Sequence, residues 1–216
     1  MTPAQGYFSD AKPVLLELVD PAGMRVLDAG CGAGGNGALM KSAGAAEVVG
    51  IELHPAAAQQ ARAVCDRVLE GDLADLDLEA LGPAAFDLVL AVDVLEHLAA
   101  PHEVLPRLVG LLKPGGLLVA CIPNVAHVWV FANLLAQTWP QKDSGIFDRT
   151  HVRFFARRDM VALLAGAGLD VTTVRPYFTR HRSLELLSLV ASLYVFRNFW
   201  ARQFLLVGRK PDVFAL

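Results

Sequence analysis

The stretch that decides the fold is Val26-Leu-Asp-Ala-Gly-Cys-Gly-Ala-Gly-Gly35. The apolar run Met24-Arg-Val-Leu-Asp28 reads as a buried strand, and it feeds straight into glycines that open a helix containing Ala38 to Ala43. Glycine lets backbone approach a ligand closely and adopt positive φ. A helix N-terminus adds free N–H groups and positive potential. Working outward, strand and helix alternate. Glu47–Glu52 is a second strand, followed by a helix from Pro55 to about Val64, with proline in its first turn. Arg67–Glu70 is a short third strand. Phe86–Val92 is a fourth, a continuous apolar run typical of a parallel strand.

The later elements keep the same rhythm. A helix around Val104 to Leu111 stops before Pro114-Gly115-Gly116, and Leu117–Ile122 is a fifth strand. A helix fits Val125 to Gln137, then a polar loop runs from Thr138 to Arg149. A helix near Asp159 to Ala165 ends at Gly166 and Gly168, and Leu169–Val174 and Phe204–Val207 are the last strands. At the other end, a helix fits Ser9 to Val19, with Ser9 as N-cap. Repeated strand–helix units imply a parallel α/β sheet covered on both faces.

Composition agrees. Hydrophobic residues make up 54% of the 216 and charged residues 19%. That excludes a disordered chain, a coiled coil and a collagen-like fibre. Cys31, Cys65 and Cys121 lie far apart in sequence, with no paired spacing, so neither a disulfide framework nor a metal site is expected and a reducing cytoplasm is. Asp10, Lys12 and Glu17 interrupt the N-terminal stretch, so it does not read as a signal peptide. No run of about 18 uncharged apolar residues predicts a membrane span. Residues 1–144 hold 8 Lys and Arg against 17 Asp and Glu, whereas residues 145–216 hold 11 against 5. Such asymmetry suggests a basic region set over an acidic one.

The glycine loop alone allows two ligand classes. Gly30, Gly32 and Gly35 match the G-x-G-x-x-G of a dinucleotide site, and Gly30, Gly32 and Gly34 match the G-x-G-x-G of a methyl-donor site. Both want an acid at the end of the second strand for the ribose hydroxyls, and Glu52 serves either. Asp28 separates them. A carboxylate at the tip of the first strand would repel a pyrophosphate but attract a cationic sulfonium donor carrying an amino acid. Gly71-Asp72-Leu73 after strand three offers a carboxylate to an adenine amino group, and strand four ends in Asp93-Val-Leu-Glu-His97.

These motifs resemble the class I S-adenosylmethionine-dependent methyltransferases. Leu27–Gly34 resembles the glycine-rich motif, Glu52 the ribose-binding acid, and Gly71-Asp72 the adenine-side motif. Phe86-Asp-Leu-Val89 and Leu112-Lys-Pro-Gly-Gly-Leu-Leu118 resemble the fourth- and fifth-strand motifs. The match runs in order over about residues 24–122. It implies a seven-stranded Rossmann-like doubly wound sheet with an antiparallel last strand, S-adenosylmethionine as donor and S-adenosylhomocysteine as product. The donor residues it implies are Asp28, Gly30, Cys31, Gly32, Gly34, Glu52, Leu53, Asp72, Leu73, Asp93 and Val94. Ile122-Pro-Asn-Val-Ala-His127 and Gly145-Ile-Phe-Asp-Arg-Thr-His-Val-Arg-Phe-Phe155 resemble a bacterial subfamily linked to cell-surface glycan biosynthesis, as do the aromatics Tyr7-Phe8.

One domain is expected: an N-terminal lid helix (1–23), a donor-binding core (24–122), a substrate cap (123–156) and C-terminal elements (157–216). The expected reaction is methyl transfer to an oxygen or nitrogen of a small molecule, such as a sugar or nucleotide-sugar. The donor is already activated, so alignment does most of the work. A hydroxyl acceptor also needs a base. The candidates are His127 and His151, then His97 and Asp148. Tyr7, Asn124, Arg149 and Arg153 are candidate substrate contacts, and the basic loop suits an anionic acceptor. No nucleic-acid partner is expected. Ser183–Trp200 is apolar nearly all round a helix, which predicts burial or a homodimer contact, with membrane association the lesser reading. Two other functions compete: a nicotinamide-dependent oxidoreductase, opposed by Asp28 and Asp72, and a donor-binding scaffold that turns over nothing.

Overall fold

A computed structural model describes residues 11–178 and 197–212. Tyr7, Ser9 and most of the apolar 183–200 segment lie outside the described residues. Seven strands form one sheet: β1 (Arg25–Ala29), β2 (Glu47–Glu52), β3 (Arg67–Glu70), β4 (Phe86–Val92), β5 (Leu112–Pro123), β6 (Asp170–Tyr177) and β7 (Gln203–Arg209). Their order is β3-β2-β1-β4-β5-β7-β6. β1 to β5 are mutually parallel, and β7 runs antiparallel to both β5 and β6. The expected Rossmann-like sheet with an antiparallel last strand is what forms.

Side chains alternate across the sheet with period two, so one strand serves two cores. Leu27, Val89, Ala120 and Phe204 fall in one buried cluster. Their chain neighbours Val26, Leu90, Val119 and Leu205 fall in the other. Helices cover both: α1 (Gly35–Ser42), α2 (Pro55–Ala61), α3 (Pro101–Leu111), α4 (Val128–Leu135), α5 (Arg157–Gly166) and the single turn α6 (Arg197–Trp200). The strand order reverses at β1, between β2 and β4. In such sheets, ligands bind outside the carboxyl ends of the strands at that reversal.

Several boundaries differ from the sequence reading, each for a local reason. The N-terminal helix is, within the described residues, only a 3-10 turn, Pro13–Glu17. Pro13 cannot donate a hydrogen bond back into a preceding turn. Helix α3 begins at Pro101 rather than Val104, using proline at its first position. Strand β5 begins at Leu112 rather than Leu117. Pro114-Gly115-Gly116 is a bulge between two paired stretches, and the pairing with β4 jumps from Phe86↔Leu112 to Leu88↔Leu117. Lys210 holds that bulge through backbone bonds to Gly115 and Gly116. A 3-10 turn at Leu78–Leu81, capped by Asp77, had no expectation attached to it. Cys31 and Cys65, distant in sequence, are free thiols that the fold brings together beside Gly50.

Candidate active site

The glycine loop leaves β1 at the reversal point. Gly30, Gly32 and Gly34 all take positive φ, and Gly34 is the N-cap of α1. Two of these glycines also serve packing. A Cβ on Gly30 would lie 2.3 Å from a Val94 methyl, and one on Gly34 would lie 2.3 Å from a Val64 methyl. The Gly30 and Cys31 amides both donate to the Ile51 carbonyl, which pins the loop to β2. The Cys31 side chain turns into the core, where its thiol sits beside Gly50, so only its backbone is left to face a ligand.

Two carboxylates flank this loop. Asp28 is 1% exposed and neither of its oxygens has a hydrogen-bond partner. Burial, then the nearby Glu52, raises its pKa to about 7. Buried charge is retained only where something pairs with it, so the site fits a ligand that brings positive charge to the tip of β1. Glu52, also buried, accepts from the Gly32 amide at 2.9 Å and the His54 amide at 2.8 Å. These bonds fix its carboxylate at the end of β2, and a carboxylate has lone pairs to spare for hydroxyl donors. Leu53, next along, is 53% exposed and Leu73 is buried. Asp72 holds its own turn by accepting from the Ala74 amide, 2.9 Å.

Asp93 is held otherwise. It follows β4 at positive φ. Its carboxylate pairs with Lys12 at 2.7 Å and accepts from the Gln203 side-chain amide at 2.5 Å. Lys12 also donates to Gln203 at 2.8 Å, and its backbone N–H donates to Asn36 at 2.9 Å. This clamp ties the N-terminal strap to β4, β7 and α1.

The cap brings three of the four catalytic candidates together and removes the fourth. His127 is 3% exposed and is the N-cap of α4, its Nδ1 accepting from the Trp129 amide at 3.1 Å. Burial, then the Arg202 charge, lowers its pKa to about 4. With Nδ1 spent on the first turn of α4, the structure gives His127 the part of a helix cap. Asn124 is likewise corrected from substrate contact to structural tie. Its amide donates to Asn198 O and Ala201 O and its oxygen accepts from Ala126 N. Arg153 bonds the Ala99 carbonyl, and Arg149 pairs with Asp143 at 2.8 Å.

His97, Asp148 and His151 meet beneath the cap, joined by Glu96, which the sequence did not single out. Glu96 is 1% exposed and both its oxygens lack partners. Its backbone carbonyl accepts from the Val152 and Arg153 amides, docking the cap on the loop after β4. Burial, then the Asp93 charge, raises its pKa well above the usual carboxyl range. His151 Nε2 lies 3.9 Å from Glu96 Oε1, and the two imidazoles meet edge to face at 4.8 Å. Burial lowers the His151 pKa, with His97 adding to it. Thr150 links the group. Its hydroxyl donates to Asp148 Oδ1 at 2.6 Å and lies 3.1 Å from His97 Nδ1.

The comparisons agree with this geometry. A family model described as a methyltransferase domain matches residues 4–174. A ubiquinone biosynthesis O-methyltransferase of Xanthomonas axonopodis pv. citri is 33% identical over 177 residues, covering 75% of this chain and 71% of that protein. A tRNA U34 carboxymethyltransferase of Citrifermentans bemidjiense is 39% identical over 112 residues, 49% of this chain and 34% of that protein. The fold of an S-adenosylmethionine-dependent methyltransferase from Archaeoglobus fulgidus superposes with a TM-score of 0.68 at 19% identity, covering 92% of each chain. The chain belongs to the class I S-adenosylmethionine-dependent methyltransferases.

Proposed function

We propose that this methyltransferase acts on an oxygen of a small molecule held between the glycine loop and the cap. The observation that carries the donor half is Asp28, a buried carboxylate with no protein partner at the tip of β1. S-adenosylmethionine supplies a methyl group on a positively charged sulfur together with a cationic amine. Asp28 faces that positive charge, and Glu52 accepts from the ribose hydroxyls. The backbone at Gly30, Cys31, Gly32 and Gly34 lines the methionine portion. Leu53 and Leu73 flank the adenine, with the Asp72 carboxylate at its edge. Asp93 and Val94 shape the floor, and the Lys12 clamp holds Asp93 rather than leaving it to the ligand.

The acceptor half rests on the cap. Glu96, His97, Asp148 and His151 converge there, and Arg149 lies on its outer rim. An oxygen acceptor suits a site rich in proton acceptors, and the O-methyltransferase name of the longer-matching relative supports the same choice. Glycan precursors remain one class of acceptor to test, supported by the motifs at 122–127 and 145–155. An RNA acceptor has weaker support, because the tRNA-modifying relative is matched over only 34% of its length.

The test combines two measurements. Calorimetry with S-adenosylhomocysteine should show tight binding that Glu52→Ala weakens by about 1–3 kcal/mol through loss of charge-assisted bonds. Labelled-methyl transfer should then be scored against hydroxylated aromatics, sugars, nucleotide-sugars and amines. Turnover on amines alone, or unchanged affinity in Glu52→Ala, contradicts the proposal.

A further inference from the structure

We propose that Glu96, His97 and His151 form a divalent metal site whose open positions take the oxygens of the methyl acceptor. The inference deepens the function proposed above and rests on it for the acceptor. One ligand atom from each of the three residues lies within 4.8 Å of the others. Three ligands about 2.1 Å from one cation in tetrahedral directions stand about 3.4 Å apart, so the widest separation would close by roughly 1.4 Å on binding.

The hydrogen bonds around the cluster determine which nitrogen of His97 is already committed. His97 Nδ1 lies 3.2 Å from the Thr150 carbonyl, which can only accept, so Nδ1 carries the proton. The Thr150 hydroxyl spends its own proton on Asp148 and can therefore only accept from His97 as well. The Nε2 lone pair of His97 is left for a cation. His151, its side chain largely buried, turns its Nε2 toward Glu96 Oε1 at 3.9 Å. A histidine with one nitrogen fixed by a carbonyl or carboxylate network and the other bare is the usual preparation of a metal ligand. Glu96 is the independent observation. Its two buried oxygens have no hydrogen-bond partner among the described residues, and a cation would satisfy them.

Chemistry then narrows the ion and the substrate. Two imidazoles and one carboxylate suit Zn²⁺, Mn²⁺ or Fe²⁺ rather than Ca²⁺. Three protein ligands leave coordination positions open, as in catalytic rather than structural sites. The acceptor class is a molecule with a hydroxyl beside a second oxygen, able to chelate. On coordination the hydroxyl loses its proton to water. The bared oxygen then forms the bond to the methyl carbon, while the electron pair of the carbon–sulfur bond stays on sulfur. The sulfonium becomes a neutral thioether, and charge balances.

The experiment is titration of the chelator-stripped full-length protein with Zn²⁺ or Mn²⁺ alone, by calorimetry and by metal analysis after gel filtration. One ion per chain is expected. Glu96→Gln, His97→Ala and His151→Ala should each abolish it, with thermal melts confirming that the variants fold. Thr150→Val should weaken it about 10–100-fold through the positioning of His97. S-adenosylhomocysteine affinity should be unchanged in all four, so a failure here is distinguishable from a failure of the donor assignment. Turnover should disappear with chelator and return with the ion. No ion retained, an ion retained equally by the variants, or turnover indifferent to chelator would each overturn the proposal.

Discussion

Asp28 is the residue whose chemistry most constrains the ligand. Its carboxyl is raised to about 7 from 3.8 because nothing offsets its burial. In donor-free protein the folded state therefore holds this proton more tightly than the unfolded chain does. Its contribution to stability is complete below pH 3.8 and is lost as the pH rises through about 7. Asp28→Asn should remove that component from the pH dependence of urea unfolding. Donor binding has the opposite sign, because a cationic ligand selects the ionised carboxylate. Affinity for S-adenosylmethionine should rise between pH 6 and 8 in the wild type, and a flat profile would refute the pairing. Asp28 and Glu52 were legible in the sequence because each sits at a fixed offset from the glycines. Glu96 was not. It stands beside His97 in sequence, and only burial without a partner distinguishes it from an ordinary loop acid.

Among the elements, α4 and the cap show how a plausible base becomes a structural part. His127 follows β5 at the edge where ligands bind, so position alone recommended it. In the fold it is buried and caps α4. Its pKa of about 4 lies below the ordinary 6.5, so the stability it supplies is present above pH 6.5 and is lost as the pH falls toward 4. His127→Ala should cost about 1–2 kcal/mol, as loss of an N-cap does, and make the acid limb of the stability profile shallower. Arg153 plays a comparable part by tying the cap to Ala99. Arg153→Ala should loosen the cap, lowering turnover in the labelled-methyl assay while S-adenosylhomocysteine affinity holds. Equal losses in both would place Arg153 in the donor site instead.

At the scale of the molecule, β7 is the element that closes the fold. It inserts between β5 and β6 and contributes to both faces of the sheet. Phe204, 1% exposed, packs on the face it shares with Leu164 of α5. Phe204→Ala should cost about 3–5 kcal/mol in urea unfolding through lost transfer energy and a residual cavity. The donor loop is on the far side of β4 and β5, so its affinity per folded molecule should be unchanged. A stability loss below 1 kcal/mol would mean that β7 is not held as described. Among the described residues no helix is long and apolar enough to cross a membrane.

Local sequence carries the sheet and the donor loop. Period-two and continuous apolar runs specify strands, and proline and glycine mark their ends. A strand, its glycines and its acids lie within a few dozen contiguous residues, so local chemistry could carry them. It did not determine where β5 begins, because Pro114-Gly115-Gly116 reads as a break and becomes a bulge only when Lys210 pairs with it. Nor could it choose among the histidines. His97 and His151 are 54 positions apart and act together only because the cap docks its backbone on Glu96. Whether a histidine has a free lone pair depends on what its other nitrogen touches, and that partner comes from elsewhere in the chain. Burial and hydrogen bonding are properties of the packed molecule, so the tertiary structure alone separated the capping histidine from the two that face an unpaired carboxylate.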